Sequence, residues 1–216
     1  MLIGICGKSG SGKSTLAEEI KKKYPEKTIH IDIDKIGHYI LEIQEVKIEL
    51  IRHFKKNILT NNKIDRKKLS KIVFKDPHEM DILSEITWRH IERLIDQIIE
   101  SNLNKIIILD WILLPKTKYF NMCNLKILLD IPYEIRKKRI LKRDNITEEK
   151  ANLRESASPE YDKDHFDYIL NNTEKENIRK LVKVIWVKFY IPAVLIQSPK
   201  DIWTLLNKQV IYSMKL

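Results

Sequence analysis

Glycine and cysteine are scarce in this sequence. Of its 216 residues, five are glycine and two are cysteine. Cys6 and Cys123 lie far apart in the chain, which excludes the closely spaced cysteine patterns of disulfide-rich domains and zinc sites. Three of the five glycines, Gly7, Gly10 and Gly12, fall within one short segment near the start of the chain. This segment is therefore the first candidate for a functional loop.

The sequence also lacks a long apolar run. Its most apolar segment, VIWVKFYIPAVLI at residues 184–196, has thirteen residues and contains Lys188 and Pro192, whereas a membrane-spanning helix needs about 20 apolar residues. We predict a packed helix and strand here, with a membrane-surface or dimer contact as the alternative. No signal-peptide pattern opens the chain, so we expect a cytoplasmic protein with no membrane partner.

Positive charge exceeds negative charge in the composition. The formal net charge is +10 and the isoelectric point is about 9.4, a balance compatible with a nucleic-acid partner. However, the lysines are scattered rather than concentrated in one arm, and Ile and Asn are also abundant, as expected of an A/T-rich genome. We therefore favour a compositional origin, with a basic cleft that suits anionic nucleotides, and expect no nucleic-acid partner.

The glycine-containing segment GKSGSGKST, residues 7–15, matches the phosphate-binding pattern G-x-x-x-x-G-K-[ST]. Glycine permits the backbone conformations in which several N–H groups point at one anion, and Gly10 and Gly12 serve this need. Lys13 is expected to reach the β- and γ-phosphates, and Ser14 to offer its hydroxyl to Mg²⁺. The alternative, a glycine-rich turn that binds nothing, is disfavoured by so long a match. The predicted nucleotide-binding residues of this loop are Gly7, Lys8, Ser9, Gly10, Ser11, Gly12, Lys13, Ser14 and Thr15.

Short apolar runs alternate with helical patterns along the rest of the chain. Segments typical of buried strands are LIGIC, KTIHIDID, NKIIILD, NLKILLDIP and FDYILNN. Residues 45–101 have a helical pattern almost throughout, apart from a polar break at TNNK, which indicates a helical insertion between strands. We predict an α/β fold of the P-loop NTPase type. Its doubly wound parallel sheet of about five strands is expected to bind the ligand at the carboxyl ends of the strands.

Six motifs occur in one order along the chain: GKSGSGKST, IDID, IDRKKLSKIVF, DWILL, RILKRDNITEEKANLR and FDYILNN. With these motifs the sequence resembles the dephospho-CoA kinase family from residue 1 to about residue 172. Phosphate-binding loops are widespread, whereas IDRKKLSKIVF is far more particular to this family. The resemblance implies transfer of the γ-phosphoryl group of ATP to the ribose 3′-hydroxyl of dephospho-CoA, with ATP and Mg²⁺ as cofactors.

Three acids lie at the ends of predicted strands and are predicted to line the substrate site. In the family pattern the second acid of D-x-D accepts the proton of the attacking hydroxyl, which implies that Asp34 is the general base. Asp32 would support it or reach the metal through water, and helix capping is an equal alternative. Asp110 closes an apolar run like a Walker B acid, so Asp110 and Ser14 are the candidate Mg²⁺ residues, the acid acting through water. Its alternative role is also a helix cap.

The basic segment at about residues 139–160 resembles the mobile lid that closes over the triphosphate in this family. Arg139 and Arg143 share one helical face at i, i+4 spacing. The resemblance implies that they act with Lys13 as the catalytic cations, and that Arg154 binds substrate. A solvated basic face that binds nothing is the alternative.

Three further residues enter only through the resemblance. Asn171 and Asn172 fall where the adenine-contacting loop of the family begins. Arg66 resembles a residue near the acceptor nucleotide, although a surface salt bridge would also explain it.

The sequence departs from the family pattern mainly at acceptor and lid positions. Thr87-Trp88 stand where the family usually has His-Pro, DWILLPK replaces D-V-P-L-L-F-E, and Ser158 replaces the glutamine that closes the lid helix. These departures leave open a kinase of the same fold that phosphorylates a nucleoside or a nucleoside monophosphate. A non-catalytic nucleotide-binding protein, associated with nucleic acid through its positive charge, is the second alternative.

The expected organisation is a kinase core interrupted by an acceptor-binding insertion. The core covers residues 1–44 and 102–183, the insertion covers residues 45–101, and residues 184–216 form an extension of unclear role. We expect a monomer or a weak homo-oligomer that acts on a small-molecule substrate.

Overall fold

The computed structural model describes residues 1–171, 174–185 and 187 of the chain. Residues 1–171 form one compact unit, and the described residues that follow belong to a second unit and include the helix Lys175–Ile185. Asn172 and the predicted C-terminal helix and strand, apart from residues 184, 185 and 187, lie outside the described residues. In the described part of the chain, no helix combines the length and the apolar character needed to cross a membrane.

A parallel sheet of five strands forms the centre of the first unit, in the order β2-β5-β1-β6-β7. The first strand in the chain is central and pairs with β5 on one side and β6 on the other, so the order of the strands reverses beside it. The predicted α/β fold with a doubly wound sheet is confirmed. The strands, including a small hairpin, are β1 (Leu2–Cys6), β2 (Thr28–Asp32), β3 (Leu59–Thr60), β4 (Lys63–Ile64), β5 (Ile106–Asp110), β6 (Leu125–Leu129) and β7 (Tyr168–Leu170).

Helices connect the strands of the sheet, and their starts follow local capping rules. The side chains of Asp32, Asp65, Asp76 and Thr147 each accept a hydrogen bond from a backbone N–H in the first turn of the helix that follows. The helices are α1 (Lys13–Lys23), α2 (Ile33–Ile40), α3 (Gln44–Phe54), α4 (Arg66–Val73), α5 (Pro77–Glu100), α6 (Lys118–Met122), α7 (Tyr133–Asp144), α8 (Glu148–Ser156) and, in the second unit, α9 (Lys175–Ile185).

The apolar core lies on the central strands and reaches into the helical insertion. Every residue of β1 and β5 is buried. This burial agrees with their continuous apolar runs, which are typical of strands covered on both faces. The same cluster of buried side chains includes Leu50 of α3, Leu69 of α4 and Ile95 of α5. The helices of the insertion therefore share one apolar core with the sheet through their apolar faces.

The polar break predicted within the insertion is a β-hairpin. The strands β3 and β4 pair in antiparallel register, and Asn61 and Asn62 connect them at φ angles of 49° and 59°. Asparagine tolerates this left-handed conformation, which a two-residue hairpin turn requires at both positions. The turn explains why the helical pattern stops and then resumes after a few residues.

Candidate active site

The phosphate-binding loop connects the carboxyl end of β1 to the start of α1. Gly12 is the N-cap of α1 at φ 98°, and Gly10 lies at φ 76°, so both occupy the left-handed region, as expected from the sequence. The hydroxyl of Ser11 is buried and has no hydrogen-bond partner in the described structure. A buried polar atom without a partner is unusual, and together with the open N-terminus of α1 it makes the loop suited to an anion.

Ser14 and Asp110, the two candidate metal residues, are in direct contact. Ser14 Oγ donates a hydrogen bond of 2.7 Å to Asp110 Oδ2. His30 of β2 lies between two acids, with its Nε2 3.3 Å from the same Asp110 oxygen and its Nδ1 3.0 Å from Glu18 Oε1. Burial disfavours the imidazolium, but the hydrogen bonds and charges of Asp110 and Glu18 outweigh this effect and raise the pKa of His30.

The predicted end of the second strand is wrong by two residues. The strand β2 ends at Asp32, and Asp34 is the second residue of α2. Asp32 Oδ1 accepts a hydrogen bond of 3.1 Å from the backbone N–H of Lys35, so Asp32 caps α2, which was the alternative role. The helix begins here because this cap satisfies one of its unpaired N–H groups, and Asp34 is thereby held in the first turn.

The side chain of Asp34 is accessible to solvent, but protein atoms partly desolvate its carboxylate and charges of both signs lie nearby. This desolvation raises the pKa of Asp34, the positive charge of Lys13 opposes the effect, and the neighbouring acids Asp32 and Asp110 reinforce it. The positive charge of Arg143 also interacts with the negative charge of Asp34. A carboxylate with a raised pKa is a better proton acceptor than one with an ordinary pKa, so the environment suits a general base.

The aromatic rings of Trp111 and Trp88 lie beside Asp34. Trp111 Nε1 donates a hydrogen bond of 3.0 Å to Asp34 Oδ1. The rings of Trp88 and Trp111 are stacked, with centroids 5.1 Å apart and an angle of 15° between their planes. Trp88 belongs to α5 and Trp111 follows β5, so the stack connects the insertion to the candidate catalytic acid.

The arginines of the predicted lid lie on α7 and α8. Arg139 Nη1 donates a hydrogen bond of 3.2 Å to the carbonyl oxygen of Gly10, which joins the lid to the phosphate-binding loop. Arg143 Nε is 2.7 Å from Asp144 Oδ1, and Arg154 pairs with the other oxygen of the same carboxylate. The two arginines lower the pKa of Asp144, so this acid holds two predicted site residues together.

A second ionic cluster contacts the phosphate-binding loop. The buried Arg136 forms a bidentate pair with Glu155 at 2.8 and 2.7 Å, and donates a hydrogen bond of 3.2 Å to the carbonyl oxygen of Ser9. Lys8 pairs with Glu155 at 3.3 Å and with Glu160 at 2.6 Å. The predicted nucleotide-binding residue Lys8 is thus engaged by two acids of the lid segment.

The remaining predicted residues lie away from these contacts. Arg66 begins α4 with an exposed side chain, and none of the hydrogen bonds or ion pairs of the described residues joins it to the loop. Asn171 is exposed immediately after β7. Its predicted partner Asn172 lies outside the described residues.

Comparisons with known proteins agree on one family. The family model for dephospho-CoA kinase matches residues 1–177. The chain is 32% identical over 188 residues to a dephospho-CoA kinase of Fusobacterium nucleatum, covering 85% of this chain and 95% of that protein. The chain belongs to the dephospho-CoA kinase family. The resemblance inferred from the sequence motifs is confirmed.

Two further relatives support this membership. A dephospho-CoA kinase of Aquifex aeolicus is 32% identical over 190 residues, covering 85% of this chain and 95% of the relative. The solved structure of a dephospho-CoA kinase from Campylobacter jejuni is 28% identical and aligns with a TM-score of 0.59, covering 85% of this chain and 96% of the other. Because the family consists of kinases, the chain is assigned to nucleotide-dependent phosphotransferases.

Sequence reasoning missed four polar side chains that shape this site. His30 is a titratable residue between two isoleucines of β2, Trp111 is one of the departures from the family pattern, and Asp144 directly follows Arg143 in a basic segment. These local irregularities are signals that could have marked them. Arg136 gave no signal, because one more arginine in a basic helix predicts an exposed residue.

Replacement of Gly10 by Ala should disrupt the loop. A Cβ at this position would lie 2.8 Å from the carbonyl oxygen of Arg136 and 2.9 Å from Ile140 Cγ1, at a φ of +76°. Both the backbone strain and the collision with a neighbouring helix oppose the substitution. We expect a lower thermal midpoint and weaker nucleotide binding, measured by thermal unfolding and by titration with ATP.

The matched control for this substitution is Gly37→Ala in α2. A Cβ there meets nothing within 4 Å, so the gain in helix propensity should stabilise the protein by about 0.5–1 kcal/mol. A Gly10→Ala variant as stable as the parent, with parental ATP affinity, would show that the described loop conformation is not required.

Proposed function

We propose that this protein transfers the γ-phosphoryl group of ATP to the ribose 3′-hydroxyl of dephospho-CoA, forming coenzyme A and ADP. The observation that carries the proposal is the position of Asp34 in the first turn of α2, directly after a strand of the sheet, where its carboxylate interacts with the positive charge of Lys13 of the phosphate-binding loop. Phosphoryl transfer requires an anion cradle, a metal and a group that orients the attacking hydroxyl. The described residues offer a candidate for each.

The residues at the carboxyl end of β1 and β5 fit Mg²⁺ and ATP. Ser14 Oγ and Asp110 Oδ2 are both oxygen donors and lie 2.7 Å apart, and Mg²⁺ prefers oxygen ligands, often with water between it and a carboxylate. We assign Ser14 and Asp110 to the metal, and the loop from Gly7 to Thr15 to the phosphates. When bound, Mg²⁺ neutralises charge on the β- and γ-phosphates during transfer.

The acceptor hydroxyl is activated and positioned by Asp34. A ribose hydroxyl is a weak nucleophile at neutral pH, so the carboxylate holds it and takes its proton as the new bond forms. Lys13, Arg139 and Arg143 supply positive charge where negative charge develops. Arg139 is near the loop through its hydrogen bond to the Gly10 carbonyl, which supports this role.

The acceptor is assigned to the helical insertion and the lid. Residues 45–101 would bind the body of dephospho-CoA, with Arg66 near its nucleotide, and Asp32 and Arg154 would complete the substrate site. Asn171 and Asn172 would contact the adenine of ATP. Within this proposal the protein is a cytoplasmic monomer or weak homo-oligomer with no nucleic-acid partner.

The proposal predicts the preferred acceptor. ADP release from ATP and Mg²⁺ should be measured with dephospho-CoA, adenosine and a panel of nucleoside monophosphates offered separately. We expect dephospho-CoA to give the highest kcat/KM. A higher kcat/KM for a nucleoside monophosphate would instead show that the protein prefers another acceptor. ADP release at the same rate with and without each acceptor would show that the protein only hydrolyses ATP.

A further inference from the structure

Two departures from the family sequence pattern meet in the folded chain. Trp88, in the long helix of the insertion, and Trp111, in the segment that follows β5, are stacked with ring centroids 5.1 Å apart. The indole N–H of Trp111 is directed at one oxygen of Asp34, at 3.0 Å. The two tryptophans therefore act on the same carboxylate, one directly and one through the other ring.

The hydrogen bond restricts the carboxylate of Asp34. A carboxylate side chain in the first turn of a helix can rotate about two bonds, and its two oxygens are otherwise equivalent. The indole N–H is a donor only, so it fixes Oδ1 as an acceptor and leaves Oδ2 available to the acceptor hydroxyl. Restricting the base before substrate arrives lowers the entropic part of the barrier.

The indole of Trp111 is itself held in place. The backbone N–H of Trp111 donates a hydrogen bond of 3.3 Å to the carbonyl oxygen of Ile5. This bond joins residue 111 to the central strand β1. The ring of Trp111 is half-buried against the stacked ring of Trp88. The backbone hydrogen bond and the stacked ring restrict rotation of the Trp111 side chain. They hold its indole N–H directed at Asp34.

We propose that Trp111 is a positioning residue, which orients Asp34 through its indole N–H while the ring of Trp88 fixes the indole. This inference rests on the proposed function, because it assigns Trp111 a role in the same phosphoryl transfer. If the two side chains only packed against each other, any two aromatic rings would be sufficient at positions 88 and 111. The hydrogen bond to Asp34 additionally requires a donor at one defined atom.

The first test separates the donor from the ring. Trp111→Phe keeps an aromatic ring against Trp88 and removes the donor, so kcat should fall about 10-fold with little change in the KM for ATP, since hydrogen bonds to charged groups are among the stronger ones. Trp111→His keeps a ring nitrogen at the corresponding position and should recover part of this loss. Trp88→Phe, which keeps the stack and the donor, should reduce kcat less than Trp111→Phe.

The second test detects the hydrogen bond without any activity. In a ¹⁵N–¹H spectrum of the full chain, the indole signal lost in Trp111→Phe identifies Trp111. Asp34→Ala should move this signal upfield, and Asp32→Asn should leave it near its parental position. The nuclear magnetic resonance result stands even if dephospho-CoA is not the acceptor, so failure of the proposed function is distinguishable.

Any of three results would overturn the inference. The first is an indole signal of Trp111 that does not respond to Asp34→Ala, and the second is a kcat of Trp111→Phe equal to that of the parent. The third is an equal loss of kcat in Trp111→Phe and Trp88→Phe, because equal losses would indicate packing rather than the donor.

Discussion

Replacement of Asp34 by Asn should reduce kcat by about 10²–10⁴-fold, the contribution typical of general-base catalysis. Asn keeps the size of the side chain and an oxygen that can accept the Trp111 hydrogen bond, but it cannot take up a proton. Nucleotide binding should change little, because the role proposed for Asp34 is toward the acceptor rather than the triphosphate. The test measures kcat of Asp34→Asn and of the parent, and determines the ATP affinity of both proteins by titration.

The neighbouring acid provides the matched control for this prediction. Asp32 caps α2 through its bond to the Lys35 N–H, and Asn is as good an N-cap as Asp. Asp32→Asn should therefore cost distinctly less activity than Asp34→Asn. Parental turnover in Asp34→Asn would remove it from the mechanism, and a larger loss in Asp32→Asn would move the base to the first acid of the pair.

Replacement of Lys13 by Ala should abolish turnover. Lys13 is the first residue of α1, and in the described structure its side chain makes no ion pair or hydrogen bond, so its charge is available to a phosphoryl group. Loss of this charge removes stabilisation of the transition state. The thermal midpoint without nucleotide should stay close to that of the parent, because no described hydrogen bond or ion pair of the ammonium group is lost.

The control removes the same charge from the other end of the same helix. Lys23 is the last residue of α1 and is exposed, so Lys23→Ala should keep parental activity. Steady-state assays and thermal unfolding of both variants make the comparison. A Lys13→Ala variant that retains most of its ATP-dependent activity would show that the phosphate-binding loop is not the working site.

Much of the fold and part of the site follow from local sequence patterns. The strand β1 has the bounds predicted from its apolar run, and Thr147 caps α8 as its position before two acids indicates. The left-handed Gly10 and Gly12 follow from a motif in which only glycine adopts the required backbone without strain. These features depend on neighbours in the chain, so the sequence alone determines them.

The bounds of α2 show how two local preferences compete. Ile31 and Ile33 alternate with Asp32 and Asp34 as in a half-buried strand, which explains the prediction that the strand continues to Asp34. The structure ends the strand at Asp32 because its side chain caps the helix. Residues 31–34 fit both a strand that continues to Asp34 and a helix that is capped by Asp32. The packing of α2 decides between these two structures.

The partners of Asp34, Asp110 and Arg136 could not be predicted because they depend on distant segments. Trp111 is 77 residues from Asp34, and the order β2-β5-β1 of the sheet brings them together. Arg136 is buried because Glu155 and the Ser9 carbonyl accept its donors, which is the condition for burying an arginine. Such pairs appear only once the order of the strands is known.

The central claim is that phosphate is transferred from ATP to one hydroxyl of dephospho-CoA. The most direct test incubates the full chain with ATP, Mg²⁺ and dephospho-CoA and identifies the product by mass spectrometry and phosphorus NMR. The account predicts one phosphate added at the ribose 3′-oxygen for each ADP formed. ADP formed without a phosphorylated acceptor, or phosphate at another position of the acceptor, would contradict it.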